Sequence, residues 1–184
     1  MIHSATESGS QPGPDVMCGW GLLNAKNAAQ LISQQAFMTG SASQGNDFDI
    51  ASISVPNNVD QVKITLAWTD PAGNPAASIA LVNNLDLRLV DASGTEYLPW
   101  RLDSNNGFKT IMRGDNNRDN VEQVTIDAPT PGTYTIRILA QDIPSGPQNY
   151  VLVSEFIGNS APIKNNELCF PIKQESGTVN IVCL

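Results

Sequence analysis

Val62-Lys63-Ile64-Thr65-Leu66-Ala67-Trp68-Thr69-Asp70-Pro71 is the stretch on which the fold turns. Val62, Ile64, Leu66 and Trp68 occupy every second position, and Lys63, Thr65, Ala67 and Thr69 lie between them. Successive side chains of a strand point to opposite faces, so this spacing predicts a half-buried β-strand that ends in a turn at Asp70-Pro71. The same period recurs at Leu85, Leu87 and Leu89, between Asp86 and Arg88, and at Tyr134, Ile136 and Ile138, between Thr135 and Arg137. Further strands are expected near 47–55, 96–101, 108–113, 121–127 and 149–156. Turn chemistry separates them at Asp70-Pro71-Ala72-Gly73-Asn74-Pro75, Asp91-Ala92-Ser93-Gly94 and Ala128-Pro129-Thr130-Pro131-Gly132. About eight such strands predict a mainly β fold, an antiparallel β-sandwich or jelly roll over residues 40–158.

The flanks read differently. Residues 1–36 are helical and loop-like. Asn24 is a good N-cap for Ala25-Lys26-Asn27-Ala28-Ala29-Gln30-Leu31-Ile32, and Ala28, Leu31 and Ile32 form a short apolar stripe that must lie against something larger. Residues 159–184 form a tail. In it Cys169 and Cys183 bracket a segment centred on Ser176-Gly177, which predicts a β-hairpin with the cysteines facing each other. A cross-strand disulfide is geometrically plausible there and would close a loop of about 15 residues, worth roughly 3 kcal/mol in the chain-entropy model. The alternative is a pair of free, buried thiols. The third cysteine, Cys18, reads as a small buried residue and not as a nucleophile.

Acidic residues outnumber basic ones by 18 to 10, a net charge of -8. Such a surface repels phosphate backbones and anionic lipid, which argues against nucleic-acid and membrane partners. No run approaches the ~18 apolar residues that suggest a spanning helix. Met1-Ile2-His3-Ser4-Ala5 lacks the basic start and apolar run of a signal peptide, so the signal of a secreted parent would lie outside this chain.

Gly19-Trp20-Gly21-Leu22-Leu23-Asn24-Ala25-Lys26-Asn27-Ala28-Ala29 resembles the end of a subtilisin-like serine protease (subtilase) catalytic domain. Ile2-His3-Ser4-Ala5 looks like the close of the helix before it. Val62–Pro71, Leu81–Leu87, Asn120–Val124, Pro131–Arg137 and Gly146–Tyr150 resemble, in order and spacing, the jelly-roll domain appended to one group of secreted subtilases. The likeness covers about residues 2–156 and leaves the tail unmatched. It implies that residues 1–36 are the remnant of a catalytic domain, that the parent is a secreted or extracellular serine endopeptidase, and that the missing catalytic domain is the partner in cis, with protein substrate a further one. The Gly-Thr-Ser-Met-Ala stretch that carries the family's nucleophile is absent from this chain, and His3 aligns with the helix after the nucleophile and not with the catalytic histidine motif. No catalytic residue is expected here.

Related appended domains bind calcium, so Ca²⁺ is the cofactor to consider. Asp115, Asn117 and Asp119 have the spacing that opens an EF-hand loop, but Asn120 stands where glycine is needed and Ile126 where the bidentate glutamate should be. A sandwich-loop site could add Glu122, Asp86 and Asn84, with Asp86 expected to turn away from the leucine face and meet Asp70 or Glu122. The competing reading is a solvated loop held by Asx turns. Trp68 shares the apolar face of its strand and is expected in the core, whereas Trp100 could be exposed. Two functions follow: a non-catalytic accessory domain that stabilises a protease or shapes substrate access, or a carbohydrate- or protein-binding module, which would need an exposed aromatic or polar patch.

Overall fold

The computed structural model describes residues 1–158 in full, together with the backbone of Cys169–Lys173 and Val179–Cys183. Asn24 caps helix α1 (Ala25–Ser33) as expected, its side chain accepting from the Asn27 amide at 3.0 Å. The strands that follow are β1 (Phe37–Ala42), β2 (Phe48–Val55), β3 (Val59–Trp68), β4 (Asn84–Val90), β5 (Glu96–Tyr97), β6 (Trp100–Leu102), β7 (Ile111–Arg113), β8 (Val121–Asp127), β9 (Gly132–Asp142), β10 (Gln148–Gly158), β11 (Cys169–Lys173) and β12 (Val179–Cys183).

They form an antiparallel β-sandwich. One sheet has the order β1-β10-β3-β8, the other β12-β11-β2-β9-β4-β5, and β6 pairs with β7 in a small ribbon. The period-two residues meet where the sheets face each other. Val62, Ile64 and Leu66 of β3 with Val124 and Leu152 share one cluster with Leu85, Leu87, Leu89, Ile136 and Ile138 from the opposite sheet. Trp68 closes one end of this core, as expected, and its indole N–H donates to the Asn83 carbonyl at 3.1 Å.

Strand β1 is absent from the sequence reading, which begins the strands only near residue 47. Phe37-Met38-Thr39-Gly40-Ser41-Ala42 does not alternate in hydrophobicity, because it is a largely exposed edge strand paired only with β10 among the described residues. Its place depends on a partner: Gly40 sits opposite Tyr150, whose ring fills the space a side chain would take.

The segment 1–36 meets the four-stranded sheet at its two ends, through His3 against β3 and the Ala36 carbonyl, which accepts the Ser154 amide of β10. Leu31 of α1 is buried, yet Ile32, the third member of the expected stripe, is 66% exposed. Cys18 is exposed, contrary to the expectation of a buried residue. Asp15 explains this: its backbone exchanges two hydrogen bonds with Gly19, its Oδ1 accepts the Met17 and Cys18 amides, and the tight turn throws residues 16–18 outward. The expected tail hairpin is present in backbone as β11 and β12, with Cys169 opposite Cys183. The disulfide expectation itself concerns side chains outside the described residues.

Candidate functional site

Two polar clusters are built into the sandwich, one on each face of the four-stranded sheet. The first grows from β8. Glu122 stands on the core-facing side of that strand, opposite Leu66 and in line with Val124 and Ile126. It is 0% exposed. Its carboxylate reaches the edge of β4, where Oε2 accepts the Leu87 amide at 2.5 Å. Strand β5 pairs only with Leu89 and Val90, so Glu122 serves Leu87 in place of a strand neighbour and ties the two sheets together. Burial raises the proton affinity of Glu122 well above the carboxylate norm, and the charge of Asp86 adds to this, against a smaller opposing pull from the Leu87 amide and Arg88.

Asp86, between Leu85 and Leu87 on β4, is near enough for its charge to act on Glu122, and its ion-pair partner is Arg88. Arg88 donates to Asp86 Oδ2 at 3.3 Å and to Asp115 Oδ1 at 2.5 Å. Asp70 is occupied elsewhere, accepting the Val82 and Asn83 amides at 2.8 Å each. Burial raises the Asp86 carboxyl as well, with Arg88 pulling it back down.

The six oxygen donors expected for Ca²⁺ are therefore split. Asn84, Asp86 and Glu122 each keep a buried side-chain oxygen lacking a hydrogen bond, and the Asp86 charge acts on Glu122. Asp115 is joined to them only through Arg88. Asn117 and Asp119 stay exposed in the loop, where Asp119 Oδ2 accepts from Asn116 at 2.9 Å and the Asn116 side chain accepts the Arg118 amide, as the Asx-turn reading has it. Ca²⁺ takes 6–8 oxygens. Three orphaned oxygens beside a buried guanidinium do not supply that shell, and Arg88 already provides the positive charge. Among the described residues, no group of three or more His, Cys, Asp or Glu has metal-holding geometry. The donor set does not fit calcium.

The second cluster lies on the outer face and was not foreseen. His3, the single histidine, is buried against β3, its Nδ1 2.8 Å from Thr65 Oγ1. Gln123 donates to the same Oγ1 at 2.9 Å. Nε2 faces Glu155 Oε2 at 3.6 Å, too long for a hydrogen bond. Lys63 donates to the His3 carbonyl at 3.3 Å. Burial holds the imidazole below its usual proton affinity, with Glu155 pulling the other way.

Hydroxyl, imidazole and carboxylate in line are the parts of a serine-protease triad. Here they do not act as one: Thr65 and His3 are 2% and 3% exposed, so no scissile carbonyl can reach the hydroxyl. They latch the N-terminal segment to the sheet. No sequence signal pointed to this, because Thr65 and Glu155 lie on the polar side of their strands and 90 residues apart.

A third contact secures the loop before α1. Gly13, at φ 86°, lies so close to Trp100 that a Cβ would come within 2.9 Å of it. The Arg113 guanidinium sits 3.5 Å from the centre of the Trp100 ring, and the indole donates to Thr125 Oγ1 at 2.8 Å. Burial brings Arg113 down to about 10. Trp100, which the sequence left open to exposure, is half-buried and lies under the Arg113 guanidinium. A shallow trough of about 1040 Å³ runs along β1, β10 and β3 past Thr39, Ser41, Thr69 and Pro147, with Tyr150 its sole titratable side chain.

An antiparallel sandwich bearing a latched N-terminal segment defines the class of the chain as a β domain. Residues 47–140 match the model of the bacterial pre-peptidase C-terminal domain, and the chain belongs to that family. The chain is also similar to two proteins of Dictyostelium discoideum. It is 36% identical over 113 residues, 59% of the chain, to the serine protease/ABC transporter B family protein tagA. To tagD, of the same description, it is 29% identical over 156 residues, 79% of the chain. It spans 6% of the length of the first relative and 8% of the second. Among the described residues, no helix is long and apolar enough to cross a membrane.

Proposed function

We propose that this chain is the non-catalytic C-terminal accessory region of a secreted, subtilisin-like serine endopeptidase, and that residues 1–36 are the closing part of its catalytic domain. In this reading the sandwich grips that closing segment and so restrains opening of the domain to which it belongs. The observation that carries it is the two-sidedness of the N-terminal segment. One side is held on the sheet through His3, which meets the Thr65 hydroxyl and whose carbonyl accepts from Lys63. The other leaves Val16, Met17, Leu22, Leu23 and Ile32 exposed, Met17 to 90%. Adjacent large apolar residues bare to this degree mark a surface built to be covered, and a preceding catalytic domain is the cover that the relatives' description supports.

The test uses the longer polypeptide of the parent gene. Leu22→Glu with Ile32→Glu shortens the half-life of its peptidase activity at elevated temperature several-fold, while the same pair in the present chain leaves the unfolding midpoint unchanged. Equal half-lives would refute the proposal. The alternative, a carbohydrate- or protein-binding module, draws no support from Trp68 in the core or from Trp100 under Arg113.

A further inference from the structure

We propose that Cys169 and Cys183 form a disulfide that staples the C-terminal ribbon and fixes it to the edge of the six-stranded sheet. The inference rests on backbone placement and is independent of the protease reading. Strands β11 and β12 run antiparallel, with Cys169 opposite Cys183, Phe170 opposite Val182 and Lys173 opposite Val179. Residues directly opposed in such a pair have Cα atoms about 4.5–5.5 Å apart, inside the span of about 4.4–6.8 Å that a disulfide bridges. The same register sets Cys169 beside Ser52 of β2. One of the two cysteines therefore lies where the ribbon joins the sandwich.

The staple has a physical purpose at that point. A two-stranded ribbon is marginal in water by itself. It pairs with β2 at Ser52, on the side of that strand away from β9, and so covers part of an edge that would otherwise be a template for unwanted pairing. A covalent link at the docking end removes freedom from the unattached ribbon and so favours the docked one.

The bond forms by exchange with a disulfide oxidant. The thiolate of one cysteine attacks the oxidant and releases its first thiolate. The second cysteine then attacks the mixed disulfide and releases the other. The protein gives up two electrons and two protons, and the oxidant leaves as two thiols. Cys18, exposed on the N-terminal turn, takes no part.

The full chain carrying Cys18→Ser is equilibrated at neutral pH with oxidised and reduced glutathione, denatured, alkylated and digested with trypsin. Cleavage after Lys164 and Lys173 puts Cys169 in peptide 165–173 and Cys183 in peptide 174–184. The expected result is one species joining these two peptides, separable only by reduction. Finding them apart, alkylated or capped by glutathione, or joined between two copies, overturns the proposal. Hydrogen exchange on the linked and reduced chains tests the second half: β2 amides exchange more slowly in the linked chain, and equal rates would show that the bond does not fix the ribbon.

Discussion

The two faces of the four-stranded sheet come from alternate residues of the same strands, yet they hold their partners by different physics. The inner face sets Val62, Ile64 and Leu66 against Leu85, Leu87 and Leu89, and its one carboxylate among the described residues is Glu122. The outer face sets Lys63, Thr65, Gln123 and Glu155 around His3. Apolar burial is non-directional and large, so the inner face fixes the fold whatever lies outside it. Hydrogen bonds are directional and individually modest, so the outer face fixes which segment docks and how, at a strength that depends on protonation.

The largest effect should come from the inner face. Leu87→Ala or Leu66→Ala is expected to lower unfolding free energy in urea by about 2–5 kcal/mol. A loss under about 1 kcal/mol would mean that the sheets do not share a core. Next comes the outer face. His3→Ala removes a buried partner of Thr65 and should cost about 1–3 kcal/mol. Proteolysis after Lys26 should speed up while the strands keep their circular dichroism. Simultaneous loss of both would show that latch and sandwich are one cooperative unit.

Acid separates the faces further, because their titrations run in opposite senses. His3 binds its proton less readily when folded, so its contribution is present above the unfolded value of 6.5 and is lost as pH falls below it. Glu122 binds its proton more readily when folded, so its contribution is fullest below the unfolded value of 4.5 and declines as pH rises through the folded one. Glu122→Gln should therefore flatten the acid-to-neutral stability profile and raise neutral stability by about 1 kcal/mol or more. An unchanged profile would place the proton elsewhere. The smallest effect is that of calcium: saturating Ca²⁺ or a chelator should shift the melting temperature by less than about 1 °C, since a ligand that does not bind the folded state cannot stabilise it. A rise of several degrees would put a cation at Asn84, Asp86 and Glu122.

The fold was legible wherever one face of a strand is apolar. Val62–Trp68, Leu85–Leu89 and Tyr134–Ile138 announce themselves by period, and Asn24 announces α1 by its capping chemistry. Phe37–Ala42 was not legible, because an exposed edge strand needs no alternation. The polar clusters were harder still. The sequence brings Asp86 and Glu122 to mind as ligands, but it cannot show that Arg88 reaches between Asp86 and Asp115, or that the Glu122 side chain serves the backbone of Leu87. His3 met Thr65 and Glu155 through pairing of β3 with β10, a long-range register that no local pattern encodes. Asn117 and Asp119 have ligand spacing in sequence, yet a loop that satisfies itself through Asn116 leaves them facing outward.

Hydrogen exchange at residues 16–23 and 31–33, compared between this chain and the longer polypeptide of its gene, tests the accessory-domain account most directly. The account requires those amides to exchange markedly more slowly in the longer protein, where a catalytic domain covers Met17, Leu22, Leu23 and Ile32. Identical rates in the two would contradict it.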